Sequence, residues 1–223
     1  ACSQFSKCYN SISLEIYMKP HIVTVSGPSL SGKTEFTKIL QRDYGFNAVV
    51  SVTTRPQRSS ETQGVDYHFI TPEEYAKLTL IQKTDFNNYQ YGVSEEEVLS
   101  KHEKPVLWVV APQSIAQIED YCNKAGFNIT KIFITNPQEV LFERLFERFK
   151  NDEKATTATY VNRLNSIVNV EGKWVKEATN PDSELKYDLV YTSFNQQNTQ
   201  EIISDALKTI EAKNLTVSKK HKM

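Results

Sequence analysis

Cysteine is scarce in this sequence, and its number and spacing indicate the redox state of the compartment in which the protein folds. The 223 residues contain three cysteines, Cys2, Cys8 and Cys122. Their number is odd and their spacing fits no metal-ligand pattern, which argues against a disulfide framework. We therefore expect a protein of a reducing compartment, the cytoplasm.

The sequence also lacks an excess of either charge and any long apolar run. Lys plus Arg number 26 and Asp plus Glu number 27, so no global basic field favours nucleic acid as a partner. No apolar run reaches transmembrane length, and residues 1–17 lack the apolar core of a secretory signal. We expect no nucleic-acid or membrane partner, and we interpret residues 1–17 as a disordered leader or a remnant before Met18.

What the sequence does contain is an alternation of apolar strands and amphipathic helices. The main predicted strands cover 21–26, 46–52, 105–110, 129–135 and 187–191, and the main predicted helices cover 33–43, 113–125, 136–149, 156–178 and 199–213. This order predicts an α/β fold, a central parallel sheet with helices on both faces. We expect one domain over residues 18–213 and a disordered tail over 214–223. In the helix that begins "NP", Asn136 is the predicted N-cap.

A phosphate-binding loop lies between the first strand and the first helix. Residues 27–34, "GPSLSGKT", fit G-x-x-x-x-G-K-[ST] in the strand–helix context that this motif needs. Its glycines let backbone N–H groups face phosphate oxygens, and the helix adds its positive end. We expect Lys33 to bridge the β- and γ-phosphates of ATP and Thr34 to ligate Mg²⁺. The predicted ATP-binding residues are Gly27, Pro28, Ser29, Leu30, Ser31, Gly32, Lys33 and Thr34.

A second anion site is indicated by "SVTTRPQR", residues 51–58. Arg55 and Arg58 carry fixed positive charge, and hydroxyl groups surround them. Guanidinium groups bind phosphate through paired hydrogen bonds. Two anion sites in one chain favour a kinase with separate donor and acceptor pockets over a motor or a GTPase.

The stretch from 51 to 69 resembles the acceptor-binding segment of the guanylate kinase family. The matching pieces are S-x-x-T-T-R-x-x-R, an acid three residues later, G-x-x-Y-x-F, and "YG" at 91–92. The resemblance covers most of residues 20–212 and implies a P-loop kinase fold, with an acceptor-binding subdomain over 51–92 and a helical lid over about 149–163. It assigns the acceptor phosphate to Arg55, Arg58, Tyr67 and Tyr91. Ser51 would contact the base edge, and Glu61 would lie in the same pocket.

The resemblance also implies that arginines of the lid act on the transferring phosphoryl group. Arg144 and Arg148 lie on the predicted helix 136–149, and Arg163 lies on the next helix. Preorganised cations stabilise the charge that spreads over phosphoryl oxygens in the transition state. The expected catalytic residues are Lys33, Arg55, Arg144, Arg148 and Arg163. The alternative for the two arginines of the first helix is pairing with neighbouring glutamates on an exposed face.

The sequence departs from the family where the family reads guanine with carboxylates. One of these positions falls on Gln82, and an aspartate pair is replaced by Val109 and Ala111. A neutral amide binds more weakly than a carboxylate, Ala111 offers no polar group, and losing a charge-assisted contact would lower base discrimination by about 1.5–3 kcal/mol. Asp85 is the nearest acid that could replace the missing carboxylate.

These observations predict an ATP-dependent nucleoside monophosphate kinase. GMP or dGMP is the acceptor that the resemblance implies. Two other acceptors stay open, a pyrimidine or modified deoxynucleotide and a phosphorylated sugar. A non-catalytic phosphopeptide-binding module of the same fold is the alternative from another class, but such modules usually lack a working P-loop. We expect a monomer or a homodimer.

Overall fold

The computed structural model describes residues 20–58, 61–152 and 155–220, with side chains described to residue 214. Its strands are β1 (His21–Ser26), β2 (Asn47–Ala48), β3 (Val52–Thr53), β4 (His68–Phe69), β5 (Gln82–Phe86), β6 (Tyr89–Val93), β7 (Val106–Val109), β8 (Asn128–Ile134) and β9 (Leu189–Tyr191). Its α-helices are α1 (Lys33–Tyr44), α2 (Pro72–Tyr75), α3 (Glu95–Leu99), α4 (Ile115–Ala125), α5 (Gln138–Lys150), α6 (Thr157–Ser166), α7 (Gly172–Thr179) and α8 (Thr199–Lys220). The predicted leader, residues 1–17, lies outside the described residues.

The central sheet is parallel and has the strand order β2-β7-β1-β8-β9. All six residues of β1 are buried. Val23 and Val25 pack in one cluster with α1 and α8, whereas Ile22 packs on the other face with α4. This alternation confirms the predicted α/β fold with helices on both faces, because helices cover both faces of β1.

A second sheet of four strands, in the order β4-β3-β6-β5, stands beside the central one. Its hairpin of β5 and β6 is not among the main strands predicted from the sequence. The hairpin turns at Asn87 and Asn88, which have φ angles of 50° and 64°. Asparagine tolerates this left-handed conformation, so the Asn-Asn pair was the turn signal that the sequence analysis missed.

The apolar run 46–52 forms two short strands, and the prediction of one strand is wrong. β2 pairs with β7 in the central sheet, whereas β3 pairs with β4 and β6 in the second sheet. Between them the N–H of Val50 donates to the carboxylate of Glu97 at 2.6 Å. The run crosses from one sheet to the other, and its apolar residues divide between two clusters, with Phe46 and Ala48 packed with α1 and α8 and Val49 packed with α4.

The predicted helix 156–178 is interrupted, and the predicted end of the last helix is too early. A π-helical segment, Ile167–Glu171, separates α6 from α7. α8 continues to Lys220, so the predicted disordered tail begins as helix, and Asn214 accepts a hydrogen bond from His21 at 2.7 Å. Among the described residues no helix has the length and apolar character needed to cross a membrane.

Candidate active site

A cavity of about 500 Å³ opens between the carboxyl ends of the central strands and the second sheet. It joins the phosphate loop, the predicted acceptor segment and the predicted lid in one space. The predicted site residues that line it are Gly27, Ser29, Leu30, Lys33, Thr34, Ser51, Arg55, Arg58, Tyr67, Gln82, Tyr91, Arg148 and Arg163. The predicted residues outside this lining are Pro28, Ser31, Gly32, Glu61 and Arg144. Donor and acceptor groups that are far apart in sequence therefore face each other.

The backbone of the phosphate loop requires glycine at both of its ends. Gly27 and Gly32 have φ angles of 143° and 102°. A Cβ on Gly27 would lie 1.9 Å from the carbonyl oxygen of Ile134, and one on Gly32 would lie 2.4 Å from the ring of Phe194. Any side chain at either position would force the loop away from its neighbours.

Lys33 lies half-buried at the base of the loop. Its ammonium donates to the carbonyl oxygens of Gly27 at 2.9 Å and Pro28 at 2.6 Å. Burial lowers the pKa of Lys33 to about 8, and the charge of Glu171 opposes that lowering. A lysine whose charge is poorly solvated gains most when an anion arrives beside it.

Residues of distant elements hold the outer side of the loop. Glu171 accepts from the N–H of Ser29 at 2.5 Å and from its hydroxyl at 3.0 Å. The amide of Asn136 donates to the carbonyl of Ser31 at 2.8 Å and accepts from the N–H of Phe194 at 3.0 Å. The predicted capping role of Asn136 is therefore wrong, because Pro137 occupies the N-cap without a side-chain bond. The side chain of Asn136 is used to fix the loop.

Arg144 also holds the loop, although it was predicted to act in catalysis. Its guanidinium donates to the carbonyl oxygens of Leu30 at 2.8 Å and Phe194 at 3.1 Å. Arg148, one helical turn later on α5, lines the cavity together with Arg163. Both α5 residues share a helix face, but the helix passes the loop first and reaches the cavity one turn later. In this structure the guanidinium of Arg144 is engaged by backbone carbonyls.

The predicted acceptor-phosphate residues form a positively charged pocket. Arg55 is buried, and its guanidinium lies 5.4 Å from the ring centre of Tyr67. Glu61 accepts from Arg55 at 2.8 Å and from the N–H of Arg58 at 2.9 Å. Its carboxylate thus orients the two arginines. Tyr91 completes the pocket with its ring centre 5.9 Å from that of Tyr67.

The charge of this pocket is only partly balanced. Burial lowers the pKa of Arg58, and the positive charges of Arg55, Arg163 and Arg148 lower it further. Glu61 is the acid that opposes them. A phosphate dianion would supply the missing negative charge.

The part of the cavity wall that β5 provides is uncharged. On β5 the inward residues Gln82, Thr84 and Phe86 alternate with the exposed Lys83 and Asp85. The hypothesis that Asp85 replaces the missing carboxylate is therefore wrong, because Asp85 points to the opposite face of the strand.

The amide of Gln82 is held by a serine that the sequence analysis missed. Its Nε2 donates to the hydroxyl of Ser114 at 2.9 Å, and this hydroxyl lies 2.6 Å from that of Thr84. Val109 and Ala111 both line the cavity and add no polar group. A neutral network of one amide and two hydroxyls therefore lies at this part of the wall.

Two aromatic residues that the sequence analysis also missed enclose the same part of the cavity. Phe86 lies against Trp174 of α7, with ring centres 5.5 Å apart, and both line the cavity. Nothing in the local sequence pairs them, since they lie on elements that meet only in the folded chain. The Phe86–Trp174 pair provides an apolar surface of the kind on which a base can stack.

Comparisons with known proteins agree on one family. A family model described as guanylate kinase matches residues 17–174. A guanylate kinase of Fusobacterium nucleatum is 32% identical over 172 residues, which cover 73% of this chain and 89% of that relative. A guanylate kinase of Chlamydia felis is 28% identical over 183 residues, covering 78% of this chain and 87% of that relative.

A solved structure has the same fold. The crystal structure of a guanylate kinase from Anaplasma phagocytophilum superimposes with a TM-score of 0.56 at 23% sequence identity and covers 86% of each chain. The likeness supports the fold, and the family assignment rests on the sequence matches.

Proposed function

Because the chain belongs to the guanylate kinase family, we propose that it transfers the γ-phosphoryl group of ATP to a mononucleotide. The observation that carries the proposal is the single cavity, in which the phosphate loop and the Arg55–Arg58 pocket face each other. Direct transfer between two bound phosphates needs this arrangement and no covalent intermediate.

Four cationic side chains would have separate roles in the transfer. Lys33 would neutralise the β- and γ-phosphates of ATP, and Arg55 would hold the acceptor phosphate in line with them. Arg148 and Arg163 would contact the equatorial oxygens of the group in transit, where charge spreads in the transition state. In this proposal Arg144 holds the phosphate loop, and Arg148 and Arg163 act as the lid arginines.

Thr34 is the candidate protein ligand for Mg²⁺. Within the ranges that the structure describes, no group of three or more His, Cys, Asp or Glu side chains could hold a metal ion. Thr34 lines the cavity beside Lys33, and Mg²⁺ commonly keeps water and phosphate oxygens as its remaining ligands. When bound, the ion would offset part of the negative charge of the triphosphate.

GMP or dGMP is the acceptor that the family supports. The neutral network of Gln82, Ser114 and Thr84 supports a second candidate, a mononucleotide with another base, because it lacks the carboxylate that best accepts from guanine N–H groups. A phosphorylated sugar is less well supported, since it would leave this network and the Phe86–Trp174 pair without a partner.

A coupled assay of ADP release tests the proposal. ATP and Mg²⁺ are supplied with GMP, dGMP, dTMP, dCMP, UMP, AMP or ribose bisphosphate in separate reactions, and Lys33→Met is the inactive control. Turnover with at least one mononucleotide, lost in Lys33→Met, is expected. ATP binding without any turnover would favour another acceptor, and no ATP binding would favour the phosphopeptide-binding module.

A further inference from the structure

Glu171 is a buried carboxylate that the proposed reaction does not use. It closes the π-helical segment, and its side chain is fully buried. Both of its oxygens accept hydrogen bonds, from the N–H and hydroxyl of Ser29 and from the hydroxyl of Ser166 at 3.1 Å. A carboxylate is costly to remove from water, so a buried one with such a set of donors has a specific structural task.

That task concerns the part of the phosphate loop that has the least favourable backbone conformation. Ser29 lies next to Leu30, which has a φ angle of 66°. A residue with a branched apolar side chain rarely adopts this left-handed conformation unless its surroundings impose it. The two hydrogen bonds that Glu171 accepts fix Ser29, the residue that precedes Leu30, and Arg144 fixes the carbonyl of Leu30 itself.

The same carboxylate joins the loop to the helix that carries a lid arginine. Ser166, at the end of α6, donates to Glu171, and Arg163 is on that helix one turn earlier. The π-helical segment sets the direction in which Glu171 leaves the helix axis. Such segments are rare and often occur at functional sites.

We propose that Glu171 is a positioning residue that holds the phosphate loop in the shape that receives the triphosphate. Its side chain lines the cavity, but both of its oxygens are engaged by Ser29 and Ser166, so it acts through Ser29. The proposal rests on the proposed function, in that the bound triphosphate is ATP.

The test compares Glu171→Ala with Glu171→Gln in the full chain. Alanine removes all three hydrogen bonds, whereas the amide of glutamine can accept from the N–H of Ser29 and donate to both hydroxyls. We expect the KM for ATP to rise at least 10-fold in Glu171→Ala, with the KM for the mononucleotide changed less than twofold. In Glu171→Gln the increase in the logarithm of the KM for ATP should be at most half of the increase in Glu171→Ala.

A matched control separates positioning from a general loss of stability. Ile118→Val trims a buried side chain of α4 on the far face of the central sheet. It lowers the melting temperature but should leave both KM values unchanged. If Glu171→Ala behaves in the same way, with fewer active molecules and unaltered KM values, the proposal is wrong.

Amide exchange gives a readout that does not need activity. In the chain without nucleotide, the N–H of Ser29 should exchange at least 10-fold faster in Glu171→Ala than in the original sequence, and Leu40 of α1 should exchange equally in both. Unchanged exchange at Ser29 would overturn the proposal even in an active enzyme. Faster exchange in a chain that proves inactive would overturn the kinase assignment and leave the positioning role intact.

Discussion

At the scale of single residues, the test of base recognition is at Gln82, the position at which the resemblance implies a guanine-reading carboxylate. Its amide is buried and donates to Ser114. In Gln82→Glu, the carboxylate would accept from guanine N–H groups, and a charge-assisted bond exceeds a neutral one by about 1 kcal/mol. We expect kcat/KM for GMP relative to UMP to rise about fivefold, measured in the ADP-release assay.

The matched control for this change is Asp85→Asn. Asp85 is on the same strand but on its exposed face, so the GMP to UMP ratio should stay the same. An equal ratio in Gln82→Glu and the original sequence would show that residue 82 does not read the base.

Because His21 is buried, we expect the protein to lose stability in mild acid. His21 is hydrogen-bonded to Asn214 and Thr130, and burial lowers its pKa. The unfolded chain therefore takes up a proton below about pH 6.5 while the folded chain does not. The free energy of unfolding should fall by up to about 1.4 kcal/mol per pH unit as the pH drops below 6.5.

Urea unfolding at pH 7.5, 6.5 and 5.5 measures this slope. His21→Gln should reduce the slope, whereas the same change at the exposed His102 should not. A slope that is identical in all three proteins would rule out His21 as its source.

At the scale of elements, α5 carries two arginines with different tasks. Arg148 is exposed and lines the cavity, so Arg148→Ala should lower kcat about 100-fold and change the free energy of unfolding by less than about 0.5 kcal/mol. Arg144 is tied to two backbone carbonyls, so Arg144→Ala should cost about 1–3 kcal/mol of stability. Steady-state kinetics and urea unfolding of both variants separate the two effects.

Lys150→Ala, an exposed change on the same helix, is the control and should alter neither quantity. If Arg144→Ala keeps full stability and loses kcat, Arg144 acts on the substrate and the assignment of the two arginines must be reversed. The distinction matters because spacing alone treats them as equivalent.

At the scale of the whole molecule, the thiol of Cys122 reports whether α4 stays on the sheet. The side chain is fully buried, and burial raises its pKa to about 12. In a Cys2→Ser/Cys8→Ser variant, Cys122 is the remaining thiol. At pH 8 we expect less than about one tenth of it to react with a disulfide reagent in the time in which the urea-unfolded chain reacts fully.

A cysteine placed at the exposed Ser204 of α8 in that variant should react at once and serves as the positive control. Rapid labelling of Cys122 under native conditions would mean that α4 separates from the sheet without global unfolding. Slower labelling in ATP and Mg²⁺ is expected if both bind the native state.

The sequence by itself determined the parts of this protein that depend on local chemistry. The strand, glycine-bearing loop and helix around Lys33 are contiguous, so their pattern predicts a phosphate site directly. The arginines and hydroxyls of 51–58 predict an anion pocket for the same reason, and β1 is predicted to be buried because residues 22–25 are all β-branched. Period and spacing fix which face of an element a residue occupies.

Only the tertiary structure determined which residues each of those faces contacts. Ser29 and Glu171 are 142 positions apart, and Gln82 and Ser114 are 32 apart, so no local pattern could pair them. Arg144 and Arg148 share one helix face, yet one reaches the loop and the other the cavity, because this depends on where the helix passes. Distances between elements are set by packing, and packing is a property of the whole folded chain.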